Sequence, residues 1–158
     1  MASSYLESMM SHKPTLMTSS VVVNKSDAVA YEFKYSNNWF QNVKYNLHHA
    51  LVSNCMLEKP LRILEIGTFE GQSTLWFLTT ICTHALSHIT TIDQLSNNQF
   101  LSNVSKLVKS DRDKLTIIND RSANALKQLS GRYDIIYIDG SHFPDDVLEE
   151  ILYYHFRC

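Results

Sequence analysis

Apolar residues in this chain first recur at the spacing of a helix. Further along the chain, segments with the spacing of a helix alternate with short apolar runs typical of strands. From Trp39, apolar side chains three and four residues apart predict an amphipathic helix that ends near Ser53 and Asn54. Pro60 then interrupts the pattern. Beyond it, short apolar runs are separated by longer segments with an apolar stripe, which is typical of strands alternating with helices.

Four strands and four helices are predicted after Pro60. The strands are predicted at 61–66, 88–92, 115–118 and 133–138, and the helices at 72–86, 100–108, 123–129 and from 144 to the end. Such regular alternation implies right-handed crossovers and a parallel sheet covered on both faces. The predicted fold class is therefore α/β, a doubly wound parallel sheet preceded by one helix.

Residues 1–30 differ from the rest because they are small and polar, with one apolar cluster from Val21 to Val23. We interpret them as a tail or as an N-terminal arm that docks on something else. The domain itself is predicted to occupy residues 31–158.

Composition and charge exclude several function classes. The net charge of -2 and the absence of basic clusters give no footprint for nucleic acid or for an anionic membrane. No apolar run is long enough for a membrane span. Three cysteines without paired spacing fit neither a disulfide framework nor a zinc site, so we expect a reducing compartment and a cytoplasmic protein.

The turn after the first predicted strand carries the densest candidate chemistry, from Glu65 to Gly71. In a doubly wound sheet, ligands bind outside the carboxyl ends of the strands, and Gly67 and Gly71 would let the backbone approach one. The spacing is neither that of a dinucleotide fingerprint nor that of a P-loop. An acid in the turn would repel a diphosphate but suit a ligand that carries an ammonium and a sulfonium.

The next two strands also end in acids. Asp93 is placed to accept the hydroxyls of a ribose, or else to cap a turn or helix. Asp120 is placed to read an adenine amino group, with a plain turn role as the alternative, and Ser122 is expected to cap the following helix. Three strands ending in polar groups at one sheet edge favour a ligand more than any single residue does.

Asp139 and His142 follow the fourth strand in the segment Ile-Asp-Gly-Ser-His. A carboxylate there is suited to a divalent metal, and an imidazole to general-base catalysis near neutral pH. The alternative is that Asp139 caps the loop and that His142 is a surface residue.

The remaining histidines and aromatic residues receive structural interpretations. The pairs His48/His49 and His84/His88 are expected to be structural or solvated rather than metal ligands. Packing, rather than stacking on bases, is expected of the aromatic residues Trp39, Phe40 and Trp76.

The segment from Leu61 to Thr74 resembles motif I of class I S-adenosylmethionine (SAM)-dependent methyltransferases. The Ile-Asp-Gly-Ser-His element and the helix after Trp39 are similar to a small-molecule O-methyltransferase branch that includes relatives of cephalosporin hydroxylase and macrolide sugar methyltransferases. The resemblance runs from about Trp39 to the end. It implies a Rossmann-like sheet with four of the usual seven strands and O-methylation of a small-molecule acceptor.

The resemblance also implies roles for individual residues. Glu65 and Gly67 would contact the methionine part of SAM, with Thr68, Gly71 and Ser73 in the same cofactor motif. Asp93 would bind the ribose, and Asp120 with Ser122 would border the adenine. Asp139 would hold a divalent metal such as Mg²⁺, and His142 would be the catalytic base beside it.

The sequence departs from this branch after its last predicted helix. The branch continues into a glycine turn, a fifth strand that ends in paired acids, and a hairpin, whereas this sequence stops at Cys158. The fourth strand is apolar on both faces, so we expect a truncated chain, or a partner or second copy that covers the sheet edge. Competing interpretations are an inactive methyltransferase-like interaction module and, with less support, an NAD-dependent oxidoreductase.

Overall fold

The computed structural model describes residues 19–24, 30–54, 59–141 and 143–155. The strands are β1 (Ser19–Asn24), β2 (Ala30–Tyr35), β3 (Arg62–Ile66), β4 (His88–Asp93), β5 (Leu115–Asn119) and β6 (Ile135–Ile138). The helices are α1 (Gln41–Ser53), α2 (Gln72–Trp76), α3 (Asn98–Ser105), α4 (Lys109–Arg112), α5 (Ser122–Gln128) and α6 (Pro144–His155), and a π-helical turn (Phe77–Ile81) continues α2.

The central sheet has four parallel strands in the order β5-β4-β3-β6. In β3, Leu64 lies opposite Thr90 of β4 on one side and Ile136 of β6 on the other. The chain winds outward from β3 to β5 and then crosses back to β6, so the order reverses between β3 and β6. This Rossmann-like α/β sheet confirms the predicted fold class, and the reversal marks where a ligand is expected.

Strands β3 and β4 are buried on both faces, as expected for parallel strands between helices, whereas β5 and β6 at the two edges are partly exposed. Neighbouring residues of β3 point to opposite faces: Ile63 joins a large cluster with α2 and β2, whereas Leu64 joins a smaller one with α5. The period-2 geometry of a strand sends alternate side chains to the two faces. Strand β3 therefore lies at the centre of the core, and its carboxyl end is held on both sides.

An antiparallel hairpin of β1 and β2 forms a second sheet, which the sequence interpretation missed. In β2, Tyr31, Phe33 and Tyr35 are buried and alternate with exposed residues. This alternation is the standard signal of a half-buried strand and could have been recognised. Strand β1 falls within the predicted arm and pairs with β2, while the boundary near residue 30 stays a prediction.

Helix α3 covers the free edge of β2 through Asn103. The buried side-chain amide of Asn103 accepts a hydrogen bond from Lys34 N (3.0 Å) and donates one to Lys34 O (2.8 Å). A side chain therefore satisfies both groups that a further strand would otherwise pair. This contact attaches the hairpin to the domain on the side of the helices that follow β4.

Two predicted helices differ from those observed. The helix predicted to reach Leu86 ends at Ile81, where the backbone passes through a π-helical turn and leaves at Cys82. Thr79 lies in this turn and donates its hydroxyl to Leu75 O, a contact that bends helices. The helix predicted at 100–108 is observed as α3, which ends at Ser105, and the short α4 that follows was not predicted.

Strand β6 lies at an edge of the described central sheet, and each of its four residues is only half-buried. Helix α6 packs back on α5, where the Tyr153 hydroxyl donates to Leu126 O. Within the described ranges, no helix combines the length and hydropathy needed to cross a membrane.

Candidate active site

The carboxyl ends of β3, β4 and β6 converge on the turn that joins β3 to α2. Gly67 N donates to Ile92 O at 2.9 Å, and Asp139 N donates to Ile66 O at 2.8 Å. These two hydrogen bonds extend the β3–β4 and β3–β6 ladders one step beyond the end of β3. They bring the predicted cofactor turn against the Asp139 loop. The structure therefore brings together the two segments that carried the predicted chemistry.

Gly67 and Gly71 are required by contacts within the protein itself. Both have positive φ, and a Cβ on Gly67 would lie 2.3 Å from Asp139 O. A Cβ on Gly71 would lie 2.2 Å from a carbon of the Phe100 ring, which fills that space. The close approach that the sequence predicted to a ligand is thus made first to the Asp139 backbone and to Phe100.

The Glu65 side chain is fully buried at the end of β3. Its Oε2 atom accepts the hydroxyls of Thr91 (2.6 Å) and Thr74. Its Oε1 atom is buried with no hydrogen-bond partner. Burial of a carboxylate oxygen without a donor is costly, so this atom marks a place where a donor from outside the chain would be stabilising.

Burial raises the pKa of Glu65 from 4.5 to about 7, and the charge of Asp139 adds to this effect. Three hydroxyls act in the opposite direction by stabilising the anion: that of Ser73, which lies near the carboxylate but forms no hydrogen bond with Oε1, and those of Thr74 and Thr91, which donate to Oε2. A neighbouring cation would lower the pKa again, because it favours the charged form. The group is therefore poised to ionise when a positively charged ligand arrives.

A chain of hydroxyls connects Glu65 to the turn above it. The buried Thr68 hydroxyl lies 2.5 Å from the Thr91 hydroxyl, which itself donates to Glu65. Thr91 uses its proton on the carboxylate, so Thr68 must be the donor in their contact. Thr68 therefore helps to hold Glu65, while Ser73 lies buried in the first turn of α2.

Asp93 fastens the same turn from the end of β4. Its Oδ2 accepts Thr68 N and Phe69 N, both at 2.9 Å, and its Oδ1 accepts Leu95 N at 2.9 Å. The alternative role of Asp93 as a turn cap is thus observed. A carboxylate offers about four acceptor sites, so about one is left for a ligand hydroxyl.

Asp120 and Ser122 lie at the entrance to α5, after β5. Asp120 Oδ1 accepts Arg121 N at 2.7 Å and the side-chain amide of Asn124 at 3.2 Å. The expectation that Ser122 caps this helix is wrong, because Arg121 occupies the capping position and Ser122 is already helical. Asp120 holds the helix start instead, and contacts of either residue with an adenine stay a prediction.

Asp139 is exposed beside the cofactor turn and accepts the Tyr137 hydroxyl at 3.1 Å. Burial, and then the charge of Asp139, raise the pKa of Tyr137, so Tyr137 stays a donor. The predicted base His142 lies outside the described residues. Within those residues no group of three or more His, Cys, Asp or Glu side chains gathers, so a metal on Asp139 stays a prediction.

A segment before α1 lies over the cofactor turn, a contact the sequence did not reveal. Ser36 N donates to Glu70 Oε2 at 2.6 Å, and Phe40 N donates to Gln72 Oε1 at 3.2 Å. Residues on both sides of Gly71 thus accept backbone amides from this segment. In the sequence, the only indication that Glu70 and Gln72 accept these amides was their position beside Gly71 in the motif.

The aromatic residues near this segment separate into two kinds. Phe40 is buried and Trp76 half-buried against it, with ring centroids 5.3 Å apart, which confirms their predicted packing role. The same prediction is wrong for Trp39, which is 73% exposed and stacks on Phe69. Trp39 precedes the first residue of α1, so the helical pattern does not determine the direction of its side chain.

The four histidines interpreted as structural or solvated do not gather. His88 contacts the Thr116 hydroxyl at 2.8 Å, and His84 Nδ1 accepts Leu86 N. His48 packs near the Trp76 ring. These contacts agree with the structural interpretation.

A family model described as "Methyltransferase domain" matches residues 64–157, which is more than half of the chain. The chain belongs to this methyltransferase domain family. The match begins at β3 and includes the Glu65 turn, Asp93 and the Asp139 loop. The sequence has no significant match among curated proteins.

One solved structure resembles the chain in fold, and a second superposes more weakly. Cofactor-bound Rv0187 from MTB superposes with a TM-score of 0.55 at 19% identity, over 74% of this chain and 50% of its own. A SAM-dependent methyltransferase from Agrobacterium tumefaciens gives a TM-score of 0.45 at 12% identity, over 76% of this chain and 39% of its own. The chain therefore spans half or less of these proteins.

Proposed function

We propose that this domain binds SAM at the β3–α2 turn and takes part in methyl transfer to a hydroxyl of a small molecule. The observation that carries the proposal is the unpartnered Glu65 Oε1, buried where the strand order reverses in a methyltransferase-family sheet. SAM supplies a methyl group already activated by its sulfonium. The protein then needs to hold the ligand, align the acceptor and remove its proton.

Charge favours SAM over a dinucleotide at this site. Glu65, Asp93 and Asp139 all lie at the carboxyl ends of β3, β4 and β6, without an arginine or lysine contact among the described hydrogen bonds and ion pairs. Such an acidic edge attracts an ammonium or a sulfonium and repels a diphosphate. In the proposal, Glu65 Oε1 accepts the ammonium of the methionine part, directly or through one water.

The other predicted cofactor residues have supporting roles in this arrangement. Asp93 keeps the turn in place with three amide hydrogen bonds and offers its remaining acceptor site to a ribose hydroxyl. Gly67 and Thr68 form the turn that passes over Glu65, and Gly71 and Ser73 begin α2. Asp120 and Ser122 border the adenine in the proposal, at the end of the neighbouring strand.

Removal of the acceptor proton is assigned to His142, three residues after Asp139 in the chain. In the proposal, the hydroxyl proton would pass to this imidazole as the O–CH₃ bond forms and the S–CH₃ bond of SAM breaks, since imidazole as a group can take up a proton near neutral pH. Asp139 orients the acceptor or the imidazole through its exposed carboxylate. A divalent metal at Asp139 is an additional proposal, and no step above depends on it.

Isothermal titration calorimetry with S-adenosylhomocysteine (SAH), and with NAD⁺ as the competing ligand, tests the cofactor assignment. We expect SAH to bind and NAD⁺ not to bind. Clear NAD⁺ binding without SAH binding would reject the proposal. Methylation of a panel of hydroxyl compounds, detected by mass spectrometry, then tests the reaction, with His142→Ala as the variant expected to lose turnover but keep SAH binding.

A second candidate function follows from the outer edge of β6, with which no other strand pairs among the described residues. Its four residues Ile135–Ile138 are apolar or aromatic and only half-buried, and an unpaired edge strand is a template for another strand. In this alternative the domain is an inactive methyltransferase-like module that pairs with a partner or a second copy. Sedimentation velocity would support it by showing an assembly, and a monomer that turns over substrate would reject it.

A further inference from the structure

Two stacked aromatic rings stand on the surface next to the proposed cofactor turn. Trp39 is 73% exposed and Phe69 is 48% exposed, with ring centroids 5.8 Å apart and planes inclined by 18°. We propose that this aromatic pair (Trp39 and Phe69) is the docking surface for the acceptor, and that the acceptor is a flat aromatic compound carrying a hydroxyl. The inference rests on the proposed function and names its substrate class.

The backbone at Phe69 points to a role for its side chain. Phe69 has φ +48°, in the left-handed region that a bulky residue rarely adopts, and it is not a glycine or asparagine that would adopt it easily. Its N–H is held by Asp93 Oδ2, which fixes this conformation from the neighbouring strand. Unusual torsions that are held in place by their surroundings cluster at binding sites. The same carboxylate thus positions both the cofactor turn and the Phe69 ring.

Trp39 is held independently from the other side. The next residue, Phe40, is buried, its N–H donates to Gln72, and its ring contacts Trp76 and Tyr137 with centroids 5.3 and 6.2 Å apart. Both rings of the aromatic pair therefore project from anchored backbone. A preformed surface loses little conformational entropy when a ligand binds, which is what an acceptor site requires.

The position of the aromatic pair connects it with the groups assigned to catalysis. Phe69 is two residues from Gly67, whose backbone packs on Asp139 O. On the Trp39 side, the Phe40 ring contacts Tyr137, whose hydroxyl donates to Asp139. Both rings are therefore joined by short connections to residues that contact Asp139, and we place the hydroxyl of a ring stacked on the aromatic pair on the side of the Asp139 loop.

Stacking favours an aromatic occupant over an aliphatic one. Aromatic rings gain from offset stacking on one another beyond the area that they bury, and a saturated ring of similar size gains only the burial.

Nuclear magnetic resonance tests this inference because the chain has only two tryptophans. The ¹⁵N-labelled protein, with and without saturating SAH, is titrated with naphthol and with its saturated counterpart decalol. We expect naphthol to shift the Trp39 indole N–H signal more than that of Trp76, and decalol to have a much smaller effect. The spectrum of Trp39→Leu assigns the two signals.

The variants give the second readout. Trp39→Leu is expected to weaken naphthol binding by about 3- to 10-fold, the usual worth of an aromatic pair. Tyr45→Leu, which removes another exposed aromatic ring from α1, is the matched control and should leave it unchanged. Equal affinity for naphthol and decalol, an unmoved Trp39 signal, or equal effects of the two variants would each overturn the inference.

Failure of the cofactor proposal would look different. If SAH does not bind but naphthol still shifts Trp39, the proposed function fails and the aromatic pair remains a ring-binding surface. If SAH binds and naphthol does not distinguish Trp39 from Trp76, the inference alone fails. A Trp39 signal that moves only with protein concentration would make the pair a contact between copies of the chain and would also overturn it.

Discussion

Replacing Glu65 with glutamine should change how the stability of this domain depends on pH. Glu65 is fully buried, and its pKa is raised from 4.5 to about 7 because burial penalises the anion. When the pKa of an acid is higher in the folded than in the unfolded state, its protonated form stabilises the fold. This stability is fully present below the unfolded-state pKa and is lost as pH rises through the folded-state pKa. Ionised Glu65 therefore destabilises the ligand-free fold, whereas glutamine stays neutral and can still accept the Thr74 and Thr91 hydroxyls.

The size of the effect follows from the two pKa values. At about 1.36 kcal/mol for each pKa unit, the full change corresponds to about 3 kcal/mol. About 2 kcal/mol of it falls between about pH 5 and about pH 7, and the loss levels off near about pH 8. This is large compared with the about 5–15 kcal/mol by which a domain is usually stable.

Urea unfolding of the wild-type protein and of Glu65→Gln at several pH values measures this effect. The difference between their unfolding free energies isolates Glu65, because all other groups titrate in both proteins. We expect the wild type to lose stability relative to the variant as pH rises. Glu149→Gln, an exposed acid on α6, is the control and should show no such trend. A pH-independent difference between wild type and Glu65→Gln would show that folding does not raise the pKa of Glu65.

Three further substitutions test the contacts around the site. Gly67→Ala should destabilise the fold by at least about 2 kcal/mol in urea unfolding and abolish SAH binding, since its Cβ would meet Asp139 O at 2.3 Å and its φ is +95°; wild-type affinity in this variant would contradict the contact. Asp93→Asn replaces an acceptor oxygen with a donor that faces backbone N–H groups. It should lower the free energy of unfolding by about 1–3 kcal/mol and weaken SAH binding in calorimetry; unchanged stability would contradict the role of Asp93 in holding the turn. Asn103→Ala should lower the free energy of unfolding by about 2–3 kcal/mol, because it leaves Lys34 N and O without their partner. The folded variant should bind SAH with unchanged affinity; a loss of affinity would show that the hairpin shapes the site.

Local sequence pattern was enough to predict the central sheet. The runs around Leu64 and Ile136 are apolar on successive residues, as in strands covered on both faces, and such runs stand out between amphipathic segments, whereas the run around Ile92 combines isoleucine with the β-branched threonines that favour strands. The helix after Gly71 was predicted to be too long, because its apolar pattern continues past the π-helical turn that ends it at Ile81. The Thr79 hydroxyl donates to Leu75 O within this turn, but whether such a bond ends a helix depends on how the turn packs, which the sequence pattern does not show.

The candidate site was predictable in its position but less so in its contacts. Strand ends in a parallel sheet meet at one edge, so the sequence alone predicts that Glu65, Asp93 and Asp139 lie close together. That Phe100 fills the space over Gly71 depends on a residue about thirty positions away along the chain. The stacking of Trp39 on Phe69 has the same origin. Contacts of this kind arise from tertiary packing and leave no signal in the local pattern.

The most direct test of the account is calorimetric titration of SAH into the wild-type protein and Glu65→Gln at about pH 6 and about pH 8. If the ligand ammonium binds beside Glu65, the carboxyl must ionise on binding, and wild-type affinity should rise about tenfold between these pH values with proton release. Glu65→Gln should bind at least about tenfold more weakly at the higher pH and lack the pH dependence, in line with the loss of a charged hydrogen bond. SAH binding that is equal in both proteins at both pH values, or no SAH binding at all, would contradict the account.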